Sequence, residues 1–243
     1  MIGDVIGTGL NVAGILLGGV IGLLQRRPVD AATQGLLKLA LGVLIGVVGL
    51  RTTWLALPQG FGPSMKLVLI LMVALVGGNA LGRWLGLQRR VNRLGEQARQ
   101  RLDQAGRNGR PPLSEGFLVC TILFCVAPLA LLGALIEGLG AGWHALGLKA
   151  AVDALAAMSF VKTFGPSVWL SIVPVAAFQG TVTLLARLAA PWLQAHAMLG
   201  PLLGACGLLV FCVALLVLGV HRVRWADYLP SLLVAPLLGW LLG

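Results

Sequence analysis

Apolar runs long enough to cross a membrane follow one another along the whole chain, separated by short polar turns. A helix needs about 20 apolar residues to span a hydrocarbon core of roughly 30 Å. The pattern therefore predicts an all-α, polytopic helical membrane protein with seven to eight transmembrane segments. The predicted segments are residues 2–24, 36–57, 67–87, 116–139, 146–163, 166–186, 202–220 and 228–242.

The composition agrees with this class of fold. Only 11% of the residues are charged and 58% are hydrophobic, whereas a soluble domain has about 25% charged residues. The 34 glycines would let helices approach closely within a bilayer. We expect one integral-membrane domain over residues 1–243. The first apolar run carries Asp4 and has no basic residue ahead of it, so we expect a retained span, not a cleaved signal peptide.

Two parts of this segment pattern need a separate argument. Residues 228–242 number only 15, too few to cross an average bilayer untilted, so we expect this run to be tilted or shielded by its neighbours. The apolar stretch 146–190 is interrupted by Phe164-Gly165-Pro166. Proline lacks a backbone donor and glycine is a poor helix former, so we expect a turn between two segments there.

The positive charges are distributed unevenly between the two sides. If all eight segments cross and the N-terminus is outside, 14 of the 18 Lys and Arg residues face the inside. If residues 146–163 do not cross, the split falls to 12 and 6. Because positive loops tend to stay in the cytoplasm, eight crossings are favoured. We expect a bacterial inner membrane, an outside N-terminus and a cytoplasmic segment 88–112.

Segment 88–112 is the one long polar stretch and contains seven arginines. Apolar residues recur in it at helical spacing, which predicts an amphipathic helix on the membrane surface. Its arginines would contact anionic lipid headgroups. The residues expected to make this contact are Arg89, Arg90, Arg93, Arg99 and Arg101. The segment has no aromatic side chains among its basic ones, so we do not expect nucleic acid as a partner.

Several polar residues lie inside apolar segments and are candidates for a polar pathway across the membrane. They are Asn11, Asn79, Lys149, Asp153, Ser159, Gln179, Thr181 and Thr183. Lys149 and Asp153 are four residues apart, so on a helix they face the same side and can pair. A structural ion pair, and amides that only hydrogen-bond between helices, are the alternative interpretation. Glu137 is expected to face water outside.

The first three and last three segments share a faint similarity. The run 11–17 begins with an amide side chain and ends with Leu-Leu, and so does the run 179–185; residues 75–82 similarly resemble 236–243. Five segments precede the sixth, so the two triplets would run in opposite directions. The pattern predicts a 3+2+3 inverted repeat, an arrangement typical of transporters.

Motifs for covalent or metal chemistry are missing from the sequence. The histidines and cysteines have no metal-ligand spacing, and there is no GxSxG or Walker A motif. The four cysteines all lie in apolar runs, where thiols commonly act as small packing groups. We therefore predict no enzyme activity, no metal and no cofactor.

Three short motifs resemble one known family. Ser-Glu-Gly-Phe-Leu-Val at 114–119, Leu-Phe-Cys-Val at 123–126 and Gly-Ala-Leu-Ile-Glu-Gly-Leu at 133–139 are similar to the DUF554 family of bacterial membrane proteins. The similarity continues through Phe-Gln-Gly-Thr-Val-Thr at 178–183. Arg83 departs from it, standing where an acidic residue is expected. The resemblance implies a membrane location and a helical fold, and no particular activity.

Two functions fit this pattern. The leading hypothesis is transport of a small solute or ion, through a polar path near Asn11, Asp153 and Gln179. The alternative is a non-transporting scaffold or assembly protein, in which the same polar groups only hold helices together. The sequence leaves open whether the chain forms a homo-oligomer.

Overall fold

The computed structural model describes residues 5–25, 30–107, 113–221 and 223–242. These residues form helices and contain no β-strand, so the all-α prediction is confirmed for them. The helices are α1 (Ile6–Leu24), α2 (Ala31–Ala56), α3 (Phe61–Leu85), α4 (Leu87–Arg107), α5 (Leu113–Val126), α6 (Pro128–Gly138), α7 (His144–Phe164), α8 (Ser167–Leu170), α9 (Ile172–Ala195), α10 (Leu199–Val217) and α11 (Ser231–Leu242). A 3-10 turn, Trp225–Tyr228, precedes α11. Residues 2–4 of the first predicted segment and 108–112 of the Arg-rich stretch lie outside the described residues.

Seven helical stretches within the described residues are long and apolar enough to cross a membrane, and α5 with α6 makes an eighth if the pair is one span. The predicted seven to eight segments are thus confirmed. Helices α5 and α6 are bent by 56° relative to each other. The bend falls where Pro128 opens α6, because proline fixes its own φ and removes a backbone donor from the helix. The predicted segment 116–139 is therefore a bent pair.

Helix α2 begins earlier, and helix α9 ends later, than the sequence predicted. Helix α2 begins before the predicted residue 36 because Asp30 Oδ2 accepts a hydrogen bond from the Thr33 backbone N–H at 3.1 Å. Hydrogen bonds from the side chain and backbone of Thr33 hold the pKa of Asp30 below its usual range. Helix α9 continues past the predicted residue 186, since Arg187 is a good helix former whose long stem can lie along apolar surface.

The break after α7 is the predicted turn. Gly165 has φ +62°, a backbone conformation that glycine adopts without steric cost. Pro166 then leads into the short helix α8. Helices α7 and α9 are consequently two separate segments.

Helices α1 and α7 form the most extensive contact in the bundle and run in the same direction. A stripe of small residues on α1 makes this close approach possible. The close approaches are Gly7 to Leu146, Gly14 to Ala150, Gly18 to Ala154 and Gly22 to Met158. Asn11 lies on the same face of α1, between Gly7 and Gly14, and is fully buried. The glycine stripe therefore brings the Asn11 amide into the contact between α1 and α7.

Two further helix pairs are antiparallel: α2 packs on α10, and α3 packs on α11. Glycines again lie at the closest approaches. These are Gly42 to Leu218, Gly49 to Phe211, Gly78 to Ser231 and Gly82 to Asp227. The directions of these pairs agree with eight alternating crossings, because α1 and α7 are both odd-numbered spans whereas each antiparallel pair joins an odd span to an even one.

The bundle has two distinct ends. At the α4 end lie the last residues of α1, α7 and α10, together with the first turns of α2. At the opposite end lie the first residues of α1 and α7 and the last residues of α6 and α9. We use the names α4 end and opposite end below.

Helix α4 is amphipathic, as predicted, but part of its apolar face is covered by protein. Ala98 and Ala105 are buried, and Leu102 is half-buried, in a cluster that includes residues of α5. The start of α4 is fixed to the 3-10 turn by two hydrogen bonds. The Gln88 backbone N–H donates to Asp227 Oδ1, and the Ala226 N–H donates to Gln88 Oε1, both at 3.0 Å. Helix α4 is therefore docked on the bundle.

The helices that the proposed repeat makes equivalent also contact each other. Helix α1 contacts α9, α2 contacts α10, and α3 contacts α11. Such contacts are what a two-fold axis through the middle of the bundle would produce. The inverted repeat itself stays a prediction.

Candidate functional site

Polar side chains from four helices, nearly all of them buried, form a group that we call the polar line. It is built from α1, α6, α7 and α9 and runs from the opposite end toward the middle of the bundle. Its members are Thr8, Asn11, Glu137, Lys149, Asp153, Gln179 and Thr183. All of these side chains are buried except that of Glu137, which is half-buried.

The centre of the polar line is a pair of amides. Asn11 Nδ2 donates to Gln179 Oε1 at 3.3 Å, and both side chains are completely buried. The remaining polar atoms of the pair, Asn11 Oδ1 and Gln179 Nε2, find no hydrogen-bond partner among the described residues. Because a buried polar group without a partner costs free energy, this centre is poised to bind a further polar group or ion.

An ion pair lies next to the amides. Lys149 Nζ contacts Asp153 Oδ2, and their side chains are 1% and 5% exposed. The predicted pairing of these two residues is thus present. The ion pair and the amides meet at the contact between α1 and α7, where Gly14 approaches Ala150 and Gly18 approaches Ala154. The ring centroid of Phe124 lies 6.0 Å from Lys149 Nζ and closes the apolar side of the pair.

Glu137 forms the outermost part of the polar line. The Gly7 backbone N–H donates to Glu137 Oε1 at 2.6 Å, so the carboxylate lies at the N-terminus of α1, where the helix dipole favours negative charge. Its second oxygen, Oε2, is buried and has no partner among the described residues. The Thr183 side chain lies beside it, and the Thr183 hydroxyl also donates to the Ala134 carbonyl at 3.2 Å. Glu137 is half-buried and lines the cavity at the opposite end; its exposure to water outside the membrane stays a prediction.

Cavities lie on either side of the polar line. At the opposite end, a cavity of about 540 Å³ is lined by Glu137, Trp143 and Arg187. At the α4 end, a cleft of about 730 Å³ is lined by Ser159 and Lys162 of α7 together with the start of α2. Along the chain, Lys149 lies between Trp143 of the first space and Val152 of the second.

The structure brings together five of the eight predicted pathway residues: Asn11, Lys149, Asp153, Gln179 and Thr183. Three lie elsewhere. Ser159 is exposed in the cleft at the α4 end, Thr181 is exposed on the other side of α9, and Asn79 is half-buried on α3. Helical rotation separates Thr181 from Gln179, because two residues correspond to about 200°. Helix α3 packs on α10, α11 and the 3-10 turn, away from the polar line.

Two members of the polar line were not predicted as pathway residues, Thr8 and Glu137. Thr8 is one helical turn before Asn11, which places both on one face of α1, and this spacing could have revealed it. The role of Glu137 depends on the packing of α6 against α1, which no sequence spacing shows. No group of three or more His, Cys, Asp or Glu side chains comes together among the described residues, so a metal here would need amide, hydroxyl or carbonyl oxygens.

A model of the family described as "Protein of unknown function (DUF554)" matches residues 6–240. The chain belongs to this family. A relative from Bacillus subtilis (strain 168), named uncharacterized membrane protein YdfK, is 24% identical over 230 residues, covering 95% of this chain and 93% of the relative. A relative from Escherichia coli (strain K12), named uncharacterized protein YqgA, is 28% identical over 242 residues, covering 95% of this chain and 94% of the relative. No solved structure matches the chain.

Membership of the DUF554 family confirms the resemblance seen in the sequence. The matched region, residues 6–240, contains the whole polar line and α4. One relative is itself named a membrane protein, in agreement with the apolar helices of this chain. This member of the DUF554 family is thus a bundle of helices, most of them long and apolar enough to cross a membrane, with a buried polar line.

Proposed function

We propose that this DUF554 protein moves a small cation across the membrane through the polar line. The supporting observation is a set of buried oxygen atoms that have no hydrogen-bond partner within the described part of the chain: Thr8 Oγ1, Asn11 Oδ1 and Glu137 Oε2. Carboxylate, amide and hydroxyl oxygens are the ligands that hard cations and their hydration water prefer. Thr8 and Asn11 share one face of α1, and Glu137 contacts the same helix end.

The charge of the polar line favours a cation over an anion. The polar line contains two carboxylates, Glu137 and Asp153, and one ammonium group, Lys149. When all three are ionised, the line has one excess negative charge. Ionisable residues inside a membrane protein are expensive to bury and usually mark an ion or substrate pathway. The cavity at the opposite end reaches Glu137, and it would admit the cation to the first oxygen of the path.

A flux assay in proteoliposomes tests this function. Purified protein would be assayed separately for H⁺, Na⁺ and K⁺ flux, with chloride and phosphate as anion comparisons. Glu137→Gln and Asp153→Asn should each lower cation flux at least about tenfold, since each removes one charge from the line (about 1.4 kcal/mol or more of ion binding). Thr181→Ala is the matched control on α9, because its side chain is exposed on the side of the helix away from the line, and it should keep the flux.

The outcomes separate transport from scaffolding. Cation flux unaffected by Glu137→Gln and Asp153→Asn would overturn the site assignment, and flux of anions alone would overturn the cation class. If the wild type conducts no ion and the variants only lose stability in detergent, the polar groups hold the helices together. The protein would then be a non-transporting scaffold or assembly protein. The proposed activity needs no covalent chemistry, in keeping with the predicted absence of enzyme activity.

We further propose the orientation of the protein in the bacterial inner membrane. The N-terminus is outside and the α4 end is cytoplasmic. The support is the placement of 14 of the 18 Lys and Arg residues on the side that holds α4 when eight segments cross. Cations would then meet Glu137 from outside and leave by the cleft at the α4 end.

A further inference from the structure

A second large cavity at the α4 end, which we call the basic cleft, lies apart from the polar line. It has a volume of about 1180 Å³, above the roughly 300–1,000 Å³ typical of small-molecule pockets. One wall is a face of α4, formed by residues spaced three or four apart. The residues of this wall are Gln88, Asn92, Gly95 and Arg99. The other walls come from α5, the start of α2, and the chain between α10 and the 3-10 turn.

The basic cleft has a strong excess of positive charge. Its basic side chains are Lys38, Arg89, Arg99 and Arg224, against the single carboxylate of Glu96. A second nearby carboxylate, Asp227, is fully buried and already accepts from Gln88 N–H and contacts Arg224 Nε at 2.8 Å. Arginine carries five N–H donors in a fork that matches phosphate oxygens, so Arg224 retains donors for a ligand.

The floor of the basic cleft is apolar. Ile122, Leu123 and Val126 of α5 and Leu216 of α10 line it. Leu216 lies near the end of α10, and the three α5 residues lie just before the bend between α5 and α6. The cleft therefore joins a basic rim to an apolar surface. A free phosphate would use the rim and leave this floor uncovered, whereas a phospholipid would use both. Basic pockets between helices on the cytoplasmic side are known to hold anionic headgroups.

We propose that the basic cleft is a binding site for an anionic phospholipid, with the phosphate held by Arg89, Arg99 and Arg224 and an acyl chain on the α5 floor. Of the five arginines predicted to contact headgroups, Arg89 and Arg99 line the cleft. Arg90, Arg93 and Arg101 are exposed elsewhere on α4. The site is separate from the polar line, so a test of lipid binding does not depend on whether the protein transports cations.

Native mass spectrometry of the full-length protein in detergent tests this proposal. Phosphatidylglycerol and phosphatidylcholine would be titrated against the wild type, the cleft variant Arg89→Gln/Arg99→Gln, and the control variant Arg90→Gln/Arg93→Gln. The two variants lose the same charge from the same helix. We expect the wild type to prefer phosphatidylglycerol, the cleft variant to bind it roughly 25-fold more weakly, as the loss of two basic contacts implies, and the control to change less than about threefold.

Three results would overturn the lipid site. They are equal losses in both variants, equal binding of phosphatidylcholine, and displacement of phosphatidylglycerol by inorganic phosphate at matched concentration, which would identify a soluble phosphate as the ligand. Thermal unfolding of each variant checks that it folds. If the cleft variant does not fold, Lys38→Gln/Arg99→Gln removes two cleft charges from different helices and takes its place.

Discussion

The Lys149–Asp153 ion pair belongs to the polar line, and its burial determines how it responds to mutation. Removing one member of a buried pair leaves an uncompensated charge, which costs about 3–5 kcal/mol, whereas replacing both by apolar residues is often neutral. With side chains 1% and 5% exposed, these residues have no water to replace the lost partner. Stability and function can therefore be separated at this site.

We predict that Asp153→Ala lowers the free energy of unfolding by about 3–5 kcal/mol, while Lys149→Met/Asp153→Leu lowers it by much less. Denaturant unfolding in detergent measures both. The double variant should fold yet lose cation flux in proteoliposomes, because the polar line then lacks the charges of Lys149 and Asp153 and keeps only that of Glu137. A double variant that conducts normally would show that the pair is structural only.

Residue spacing revealed some of these contacts and concealed others. The Lys149–Asp153 pair lies within one helix, so a separation of four residues was enough to predict it. Asn11 and Gln179 were both chosen as buried amides, but their mutual hydrogen bond depends on how α1 crosses α9. The contact of Glu137 with the Gly7 backbone depends on the packing of α6 against α1 in the same way. Contacts between helices require tertiary structure.

At the scale of helices, glycine spacing determines which pairs approach closely. A methyl group at Gly18 would overlap the Ala154 carbonyl of α7, whereas Gly9, on the same helix, faces open space. Glycine in a helix interior costs about 1 kcal/mol relative to alanine. The cost is tolerated at Gly18 because the backbone of α7 occupies the place of a side chain.

We predict opposite effects of the same substitution at these two positions. Gly9→Ala should keep or raise the midpoint of thermal unfolding in detergent, since alanine is the better helix former. Gly18→Ala should lower it, because α1 and α7 must move apart, at a cost of about 1–3 kcal/mol for overpacking. Equal effects of the two substitutions would contradict the parallel α1/α7 contact.

Helix α4 provides a second test at this scale. Its amphipathic pattern was visible in the sequence, but its attachment to the 3-10 turn through Gln88 was not, since the partners lie about 138 residues away. Gln88→Ala removes the hydrogen bond to the Ala226 N–H, worth about 1 kcal/mol. Limited trypsin digestion should then cut α4 about fivefold faster. Gln97→Ala, an exposed position on the same helix, should digest like the wild type.

At the scale of the whole molecule, hydropathy predicted the number of spans, which the structure confirms, and charge predicted an orientation that stays a prediction. Hydropathy alone did not show the 56° bend between α5 and α6, although Pro128 is visible in the sequence, because proline also occurs within unbroken membrane helices. The contacts α1–α9, α2–α10 and α3–α11 are those that an inverted repeat would make. An inverted repeat requires an odd number of crossings before the sixth segment, so that the two triplets start on opposite sides of the membrane. The first triplet supplies three crossings. The condition is met when the bent pair and α7 each cross once.

Single cysteines report this orientation directly. We predict that Gln104→Cys on α4 and Gln59→Cys between α2 and α3, both at exposed positions, react from opposite sides of the membrane. In a background without the four native cysteines, an impermeant maleimide added to intact cells should label Gln59→Cys and reach Gln104→Cys only after the membrane is opened. This is the result expected from the proposed orientation, in which the basic α4 end lies in the cytoplasm. Labelling of both positions from outside would mean that the protein inserts in both directions, and the basic cleft would then face both leaflets.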